Sequence, residues 1–509
     1  MYSKIRKLHF IGIGGIGMSG IAEVLLNLGY RISGSDISNS HTIQRLQRMG
    51  AEIHLGHEAH HVEGANAVVY SSAVKNDNPE LRAARLARIP VVARAEMLAE
   101  LMRLKYGIAI AGTHGKTTTT SLIATVLGHA KMDPTVVNGG IVKSFGSNAY
   151  LGKGEFLVTE ADESDGSFLK LNPTIAIITN MDPEHMEHYG TFSAVRSAYL
   201  NFAGKVPFYG LAVLCMDHPE VQALAAQLPD KRVITYGLKA APQVSGDASG
   251  PTNGVHDGPN YQAVAIHQKG IHTCFDVLFC DPTTKEKQNL GQIQLSLPGR
   301  HNVANTLAAI AVARELLIPW GIITYAFKNF QGVQRRFDLI QNSPERVVID
   351  DYAHHPTEIQ ATLEAVRSAS YQSDGGIETM TDRRRLVVIF QPHRYSRIQT
   401  LMQDFFRCFH QADLVLVEPI YPAGEKPLSG LEGESGQRLL MEGIRQHSQT
   451  QAAPMPTGPM WSDELEAMLQ PGDVVAFLGA GDITYRARSF GVKTLGGREP
   501  PPNPPTLFF

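Results

Sequence analysis

Residues 107–126 read G-I-A-I-A-G-T-H-G-K-T-T-T-T-S-L-I-A-T-V: an apolar run breaks at Gly112, passes Gly115-Lys116-Thr117, and resumes as a Thr-rich apolar segment of helical length. Strand, glycine turn and helix N-terminus in that order aim backbone N–H groups at one spot, and the helix dipole adds roughly half a positive charge there. An anion belongs at such a turn. In a phosphate loop the lysine reaches the β/γ-phosphates of a nucleoside triphosphate and the next hydroxyl sits on Mg²⁺, which assigns Lys116 and Thr117. The full pattern has a glycine five positions before Gly115, where Ile110 stands. The spacing therefore predicts a shortened loop between a buried strand and a helix.

Residues 7–36 repeat the theme. A strand runs into Gly12-Ile13-Gly14-Gly15-Ile16-Gly17, a helix follows over 18–28, and a second strand over 30–34 leads to Asp36. This is the β-turn-α-β pattern of a diphosphate site, in which an acid about 20 residues beyond the turn hydrogen-bonds a ribose. NAD, FAD and a nucleotide sugar all present a pyrophosphate, so the turn does not choose among them. A further strand over 67–70 ends at Ser71-Ser72, either a contact at the ligand edge or a plain turn.

Size and composition narrow the class. A chain of 509 residues exceeds what one core serves, with a prior of about three domains. Apolar residues make up 43% and charged residues 19%, as in a globular protein, and the net charge of -3 without a Lys/Arg block excludes a general attraction to nucleic acid. Cys215, Cys274, Cys280 and Cys408 are scattered without any C-x-x-C, which suits reduced thiols. Lys4, Arg6 and Lys7 before an apolar run imitate an export signal, but Gly12, Gly14, Gly15, Gly17 and Gly20 would interrupt its helix. No apolar stretch reaches the ~18 residues of a membrane span. The expectation is a cytoplasmic protein without a membrane partner.

Beyond the phosphate loop, polar residues gather at strand ends. A strand over 155–159 runs into Glu160, Asp162, Glu163 and Asp165, and one over 174–178 into Asn180, Asp182, Glu184, His185, Glu187 and His188. Four acids in one short turn repel one another unless a cation sits among them. Beside a phosphate loop, such an acid suits Mg²⁺, which takes one or two carboxylates plus substrate phosphates. Imidazole prefers softer metals, so His185 reads either as a ligand or as a hydrogen-bonding group. Residues 245–260 are rich in Ser, Gly, Pro and Asn and read as a flexible insertion, with short strands over 262–267 and 273–278. Asn302 opens an Ala-rich helix over 298–313, either as its N-cap or as an amide for the adenine edge. In the last third, strands over 347–349, 386–390, 414–417 and 474–478 each end in polar or glycine residues, so one edge of a parallel sheet carries chemistry. Residues 371–384 read as a surface loop and the Pro-rich tail as disordered. The expected units are 1–105, 106–333 and 334–495, with the tail at 496–509.

Seven motifs stand in order: G-I-G-G-I-G-M-S-G (12–20), G-T-H-G-K-T-T (112–118), E-A-D-E-S-D (160–165), G-R-H-N (299–302), R-R-F-D (335–338), D-D-Y-A-H-H-P-T-E (350–358) and Q-P-H-R (391–394). Together they resemble the Mur ligases of peptidoglycan synthesis, over residues 7 to about 490. The resemblance implies an α/β fold of three domains: an N-terminal Rossmann-like domain, a central P-loop ATPase-type domain and a C-terminal Rossmann-like domain. It implies that ATP phosphorylates the lactyl carboxylate of UDP-N-acetylmuramate and that the amine of L-alanine displaces phosphate to form an amide. ATP and Mg²⁺ are the implied cofactors, small molecules the partners, and a monomer or homodimer the state. A carboxylate attacking a triphosphate approaches like charge; at an effective dielectric of about 20, each opposite charge ~4 Å away offsets around 4 kcal/mol.

Residue by residue, the resemblance implies Gly112, Thr113, His114, Gly115, Lys116, Thr117 and Thr118 on ATP, Asn302 on its adenine, and Arg336 and Asp351 reaching it from the third domain. Thr117, Glu160 and His185 are the implied metal ligands. Gly14, Gly15, Gly17 and Asp36, with Ser71 nearby, are implied for the UDP moiety. Arg394 and Arg397 are implied as a clamp on the amino-acid carboxylate, for which paired arginines suit, with Tyr352 and His354 beside them. Lys116, Arg336 and His354 are the implied catalytic groups, His354 taking the ammonium proton.

Overall fold

The computed structural model describes residues 6–71, 73–144, 146–238, 258–370 and 384–494. The readings made for the insertion up to 257, the loop over 371–383 and the tail from 496 lie outside the described residues. The described residues form three sheets in an α/β architecture. In the first, five parallel strands stand in the order Glu52–Leu55, Arg31–Asp36, Lys7–Ile11, Ala67–Tyr70 and Val91–Ala93. Strand order reverses at Lys7–Ile11. The glycine turn starts at the C-terminal end of that strand, where open parallel sheets form their ligand crevice, and helix Ile16–Asn27 follows it.

The second sheet has ten strands built around Tyr106–Ala111, which pairs in parallel with Ile175–Ile178 and Phe156–Glu160. Ile108 through Ala111 are fully buried, as a strand covered on both faces requires. Thr135–Val142 and the antiparallel Ser147–Tyr150 extend one side. Leu211–Cys215 and Val233–Gly237 extend the other, followed by the antiparallel ribbon Tyr261–Lys269, His272–Cys280 and Lys287–Leu295. The last of these had no signal in sequence because K-Q-N-L-G-Q is polar and mostly exposed there. Helix Lys116–His129 packs on helix Arg300–Glu315, and Leu122, Ile123, Val126, Val303, Leu307 and Ile310 belong to one buried apolar cluster.

Six strands make the third sheet: Asp338–Asn342, Arg346–Asp351, Asp473–Leu478, Leu386–Phe390, Leu414–Val417 and Gln451–Pro454. Only the first is antiparallel. The sequence expectation of four strands is corrected here. The two additional ones are edge strands whose polar sequences, D-L-I-Q-N and Q-A-A-P, carry no buried-strand pattern. Cross-contacts tie the units together: Arg45 reaches Ser147 and Asn148, Arg94 reaches Asp162 at 3.0 Å, and Lys143 reaches Asp338 at 2.6 Å. Among the described residues no helix is long and apolar enough to cross a membrane, and all four cysteines are free.

Gly34 shows how tightly the first turn is seated. A Cβ at this position would lie 2.6 Å from Ile13 Cδ1 and 2.8 Å from the Phe10 carbonyl oxygen. Overpacking of this kind costs about 1–3 kcal/mol, so Gly34→Ala is expected to lower the thermal unfolding midpoint. An unchanged midpoint would show that the turn rides freely on the strand.

Candidate active site

The loop after Ala111 turns through two glycines with positive φ, Gly112 (131°) and Gly115 (86°). A Cβ on Gly112 would lie 2.0 Å from Thr179 Oγ1, and one on Gly115 2.6 Å from Asn305 Oδ1, so only glycine admits this close approach. Asn180 fixes the loop from the next strand end: its Oδ1 accepts the His114 N–H at 2.7 Å and its Nδ2 donates to the His114 carbonyl at 3.1 Å. Gly115 caps helix Lys116–His129 without a side chain, leaving the N-terminal N–H groups to other partners. Lys116 Nζ donates to the Gly112 carbonyl at 2.6 Å and to Glu163 at 2.9 Å. Burial works against its charge, but Glu163, Asp162 and Glu160 outweigh it and raise the ammonium above its usual range.

Two cavities meet at this loop, of about 410 and 400 Å³, and His114, Gly115, Arg336 and Glu358 line both. The first has apolar walls from Tyr236, Leu238, Leu297, Phe330 and Phe337, with Asn180, Asn302 and Asn305 among its amides. An apolar slot with a few placed polar groups suits a flat heterocycle. Asn302 is not the N-cap of its helix: Gly299 holds that position without a side-chain cap, and Asn302 Nδ2 donates to the Pro298 carbonyl at 2.7 Å. Thr118 and Asp351 also line this cavity.

The second cavity brings all three units together. Ile16, Gly17 and Arg94 come from the first, Thr113, Lys116, Thr117, Glu160, Asp162, Glu163 and His185 from the second, and Arg336, Tyr352, His354 and Arg397 from the third. Thr117, Glu160 and His185 thus share one cavity. Glu160 Oε1 accepts the Gly139 N–H at 2.6 Å, while His185, with φ at 58°, holds its ring within 4 Å of Glu163, Glu184 and Glu187. A hydroxyl and a carboxylate oxygen are hard donors suited to Mg²⁺; the imidazole is the softer member.

The third unit stands directly against the loop. Glu358 lies 3.2 Å from His114 Nδ1, and Asp182 3.4 Å from its Nε2. Burial pulls the His114 imidazole down, yet these two carboxylates push it up to about 10, so it is a cation at neutral pH. Burial likewise disfavours the charge on Glu358, but His354 and His114 hold its carboxyl well below the usual carboxylate range. Arg336 lies 3.7 Å from Glu358 and stacks over the Tyr352 ring at 5.0 Å, with Arg335 over the same ring at 4.8 Å. Asp351 accepts the Phe337 and Ala353 N–H groups at 2.6 and 2.8 Å; burial nevertheless lifts it to about 6. His354 Nδ1 lies 2.9 Å from the Tyr352 carbonyl and 3.2 Å from Glu358 Oε2, both acceptors, so Nδ1 carries a proton and Nε2 is the nitrogen left for the cavity. Arg397 lines the cavity; Arg394 is exposed, starts helix Tyr395–Thr400 at φ 69°, and is absent from the lining.

The positions that the resemblance implies for the UDP moiety lie at the C-terminal ends of strands of the first sheet. Asp36 Oδ2 accepts the Gly14 N–H at 2.9 Å, Gly15 is exposed, and Ser71 follows strand Ala67–Tyr70. Gly17 lines the second cavity, and a Cβ there would lie 2.7 Å from Arg94 Nη1; Gly14, Gly15, Asp36 and Ser71 line neither cavity. Sequence reasoning missed Arg94, Asn305, Arg335 and the charge on His114, and gave Glu358 no role. Glu358 stands inside a quoted motif, in the first turn of helix Pro356–Ser370 and four residues beyond His354, which precedes that helix. Arg94 carries no local signal.

With this geometry in hand, three family models cover most of the chain: "Mur ligase family, catalytic domain" over residues 7–106, "Mur ligase middle domain" over 110–313, and "Mur ligase, glutamate ligase domain" over 335–481. The chain belongs to the Mur ligase family. It is 61% identical to the UDP-N-acetylmuramate–L-alanine ligase of Magnetococcus marinus over 491 residues, covering 96% of this chain and 97% of that one. The enzyme of the same name from Bradyrhizobium diazoefficiens is 47% identical, over 95% of this chain and 97% of that one. Among solved structures, the UDP-N-acetylmuramate-alanine ligase MurC of Thermotoga maritima aligns with a TM-score of 0.76 at 29% identity, covering 97% of this chain and all of that one.

Two histidines, His301 of the second unit and His393 of the third, bear on acid stability. Burial, seconded by Arg336, pushes His301 down to about 4, and burial pushes His393 down to about 3. Unfolded, each protonates near 6.5, so as pH falls below that value the unfolded chain takes up protons that the folded one refuses. Their stabilising contribution is complete above pH 6.5 and is lost on descending toward the folded values. His301→Gln is therefore expected to flatten the decline of unfolding free energy between pH 6.5 and 4 in denaturant titrations. An identical slope in both proteins would remove His301 from that account.

Proposed function

We propose that this chain joins L-alanine to the lactyl carboxylate of UDP-N-acetylmuramate at the expense of ATP, in peptidoglycan precursor synthesis. The observation that carries the reading is the second cavity, where a glycine turn, a phosphate loop and a basic, His-bearing strand end from three units face one space. The first unit takes the UDP moiety at Gly14, Gly15, Gly17, Asp36 and Ser71. The middle unit takes ATP on Gly112 to Thr118, with adenine in the apolar cavity beside Asn302. The third supplies Arg336 and Asp351 toward the nucleotide, and Tyr352, His354, Arg394 and Arg397 toward the amino acid.

The lactyl carboxylate attacks the γ-phosphorus, the bridge to ADP breaks, and an acyl phosphate forms. Lys116, Arg336 and the His114 imidazolium supply positive charge where two anions approach. Thr117, Glu160 and His185 would hold Mg²⁺, which when bound neutralises phosphate charge. Alanine's nitrogen then attacks the acyl carbon and inorganic phosphate leaves. The attacking amine must first lose an ammonium proton, and the Nε2 lone pair of neutral His354 receives it.

Phosphate release from ATP with UDP-N-acetylmuramate across a panel of free amino acids tests the reading. L-alanine is expected to give an amide-linked product, and no product with any amino acid would overturn it. Lys116→Ala is expected to lower kcat by orders of magnitude with little change in UDP-sugar affinity; near-normal turnover would contradict its role. Arg397→Ala is expected to raise the KM for alanine more than Arg394→Ala does. The reverse order would exchange the two arginines in the clamp.

A further inference from the structure

Behind the glycine turn of the first unit lies a polar cluster that the reaction above does not use. Glu80, in the first turn of helix Pro79–Leu86, is fully buried. Its Oε2 accepts the Ser35 hydroxyl at 2.6 Å and lies 3.1 Å from His57 Nδ1; its Oε1 lies 2.7 Å from His61 Nδ1. His9, equally buried on the first strand, holds Nε2 3.7 Å from Glu80 and Nδ1 3.0 Å from the Ser33 hydroxyl. His54 stacks on His61 at 4.2 Å between ring centres. Burial disfavours the Glu80 charge, but His9, Ser35 and His61 hold it down at about 2, so the carboxylate stays ionised.

Stability alone does not account for this arrangement. A buried charged group replaced by packed apolar side chains is often neutral or stabilising, and the best-attested use of such groups is to fix one arrangement. What this one fixes is the end of strand Arg31–Asp36. The side chains of Ser33 and Ser35, on one face of the strand, are both hydrogen-bonded into the cluster. The Ser35 carbonyl accepts the Gly12 and Ile13 N–H groups at 2.8 and 3.1 Å. On the other face, the Asp36 carboxylate accepts the Gly14 N–H. Three consecutive N–H groups of the turn therefore hang on residues 35 and 36, and Ser35 hangs on Glu80.

We infer that Glu80, through Ser35 and its histidine partners, is a positioning residue for the nucleotide-sugar site: it holds the glycine turn in the shape that offers its remaining N–H groups to a pyrophosphate. Being fully buried, it touches no ligand. The inference rests on the reading of the first unit as the UDP-sugar domain.

Steady-state kinetics of the full chain with ATP, Mg²⁺, L-alanine and UDP-N-acetylmuramate tests it. Loss of a charge-assisted hydrogen bond corresponds to about tenfold or more in an equilibrium constant. Glu80→Gln is expected to raise the KM for the UDP-sugar by about that factor, with kcat and the KM for ATP within about twofold, and Glu80→Asp to recover part of the loss. Ser35→Ala, which leaves Glu80 its histidine partners, is expected to move the same KM in the same direction by less. Should Glu80→Gln not fold, Ser35→Ala decides alone. A folded Ser35→Ala protein with unaltered UDP-sugar KM would overturn the inference, as would a common fall in kcat and all three affinities. Wild-type protein that ignores the UDP-sugar would instead sink the functional reading.

Discussion

Charge balance around one short turn governs this molecule. Residues 112–118, the proposed phosphate loop, are surrounded by Glu160, Asp162, Glu163, Asp182, Glu184 and Glu358. A polyanion enters such a place only if most of these carboxylates are answered. Lys116 answers Glu163, Arg94 answers Asp162, and His114 answers both Asp182 and Glu358, with His218 3.2 Å from Asp182. Glu160 accepts the Gly139 N–H, and Glu184 lies 3.3 Å from His355, whose charge burial disfavours. Several of these pairs join different units, so the balance also sets how the units meet.

His114 is central to that coupling. It lies on the phosphate loop, its backbone is held by Asn180, and its ring spans acids of the second and third units. An imidazole in water loses its charge near neutrality; here two carboxylates keep it charged. The loop therefore carries two fixed cations, Lys116 and His114, facing different directions. The third unit docks through Glu358, whose other neighbours, His354 and Arg336, stand at the chemical end of the site. Movement of that unit would be felt at once by the loop.

The first unit solves a different problem. Its turn must be rigid without touching the reacting atoms, and polar groups behind the sheet supply the rigidity. Ser33 and Ser35 lie on the cluster side of their strand, while Asp36 takes the turn. The same short strand thus holds the glycine turn with one face and anchors itself with the other, a direct use of two-residue alternation.

Much of this was determined by sequence alone. The shortened loop, the glycine turn with Asp36, the buried strands and the helix bearing Asn302 all rest on periodicity and turn chemistry, which act over a few residues. Glycine spacing and apolar runs specify local geometry whatever surrounds them. The polar edge strands Asp338–Asn342 and Gln451–Pro454 escaped because their pairing partner, not their pattern, makes them strands. What only the tertiary structure decided is which distant groups meet: Arg94 beside Gly17 and Asp162, Glu358 against His114, Glu80 under Ser35, and Arg397 rather than Arg394 lining the cavity. Those contacts join residues from 45 to 244 positions apart. Long-range charge pairing has no periodicity in sequence and exists only once the sheets bring their edges together.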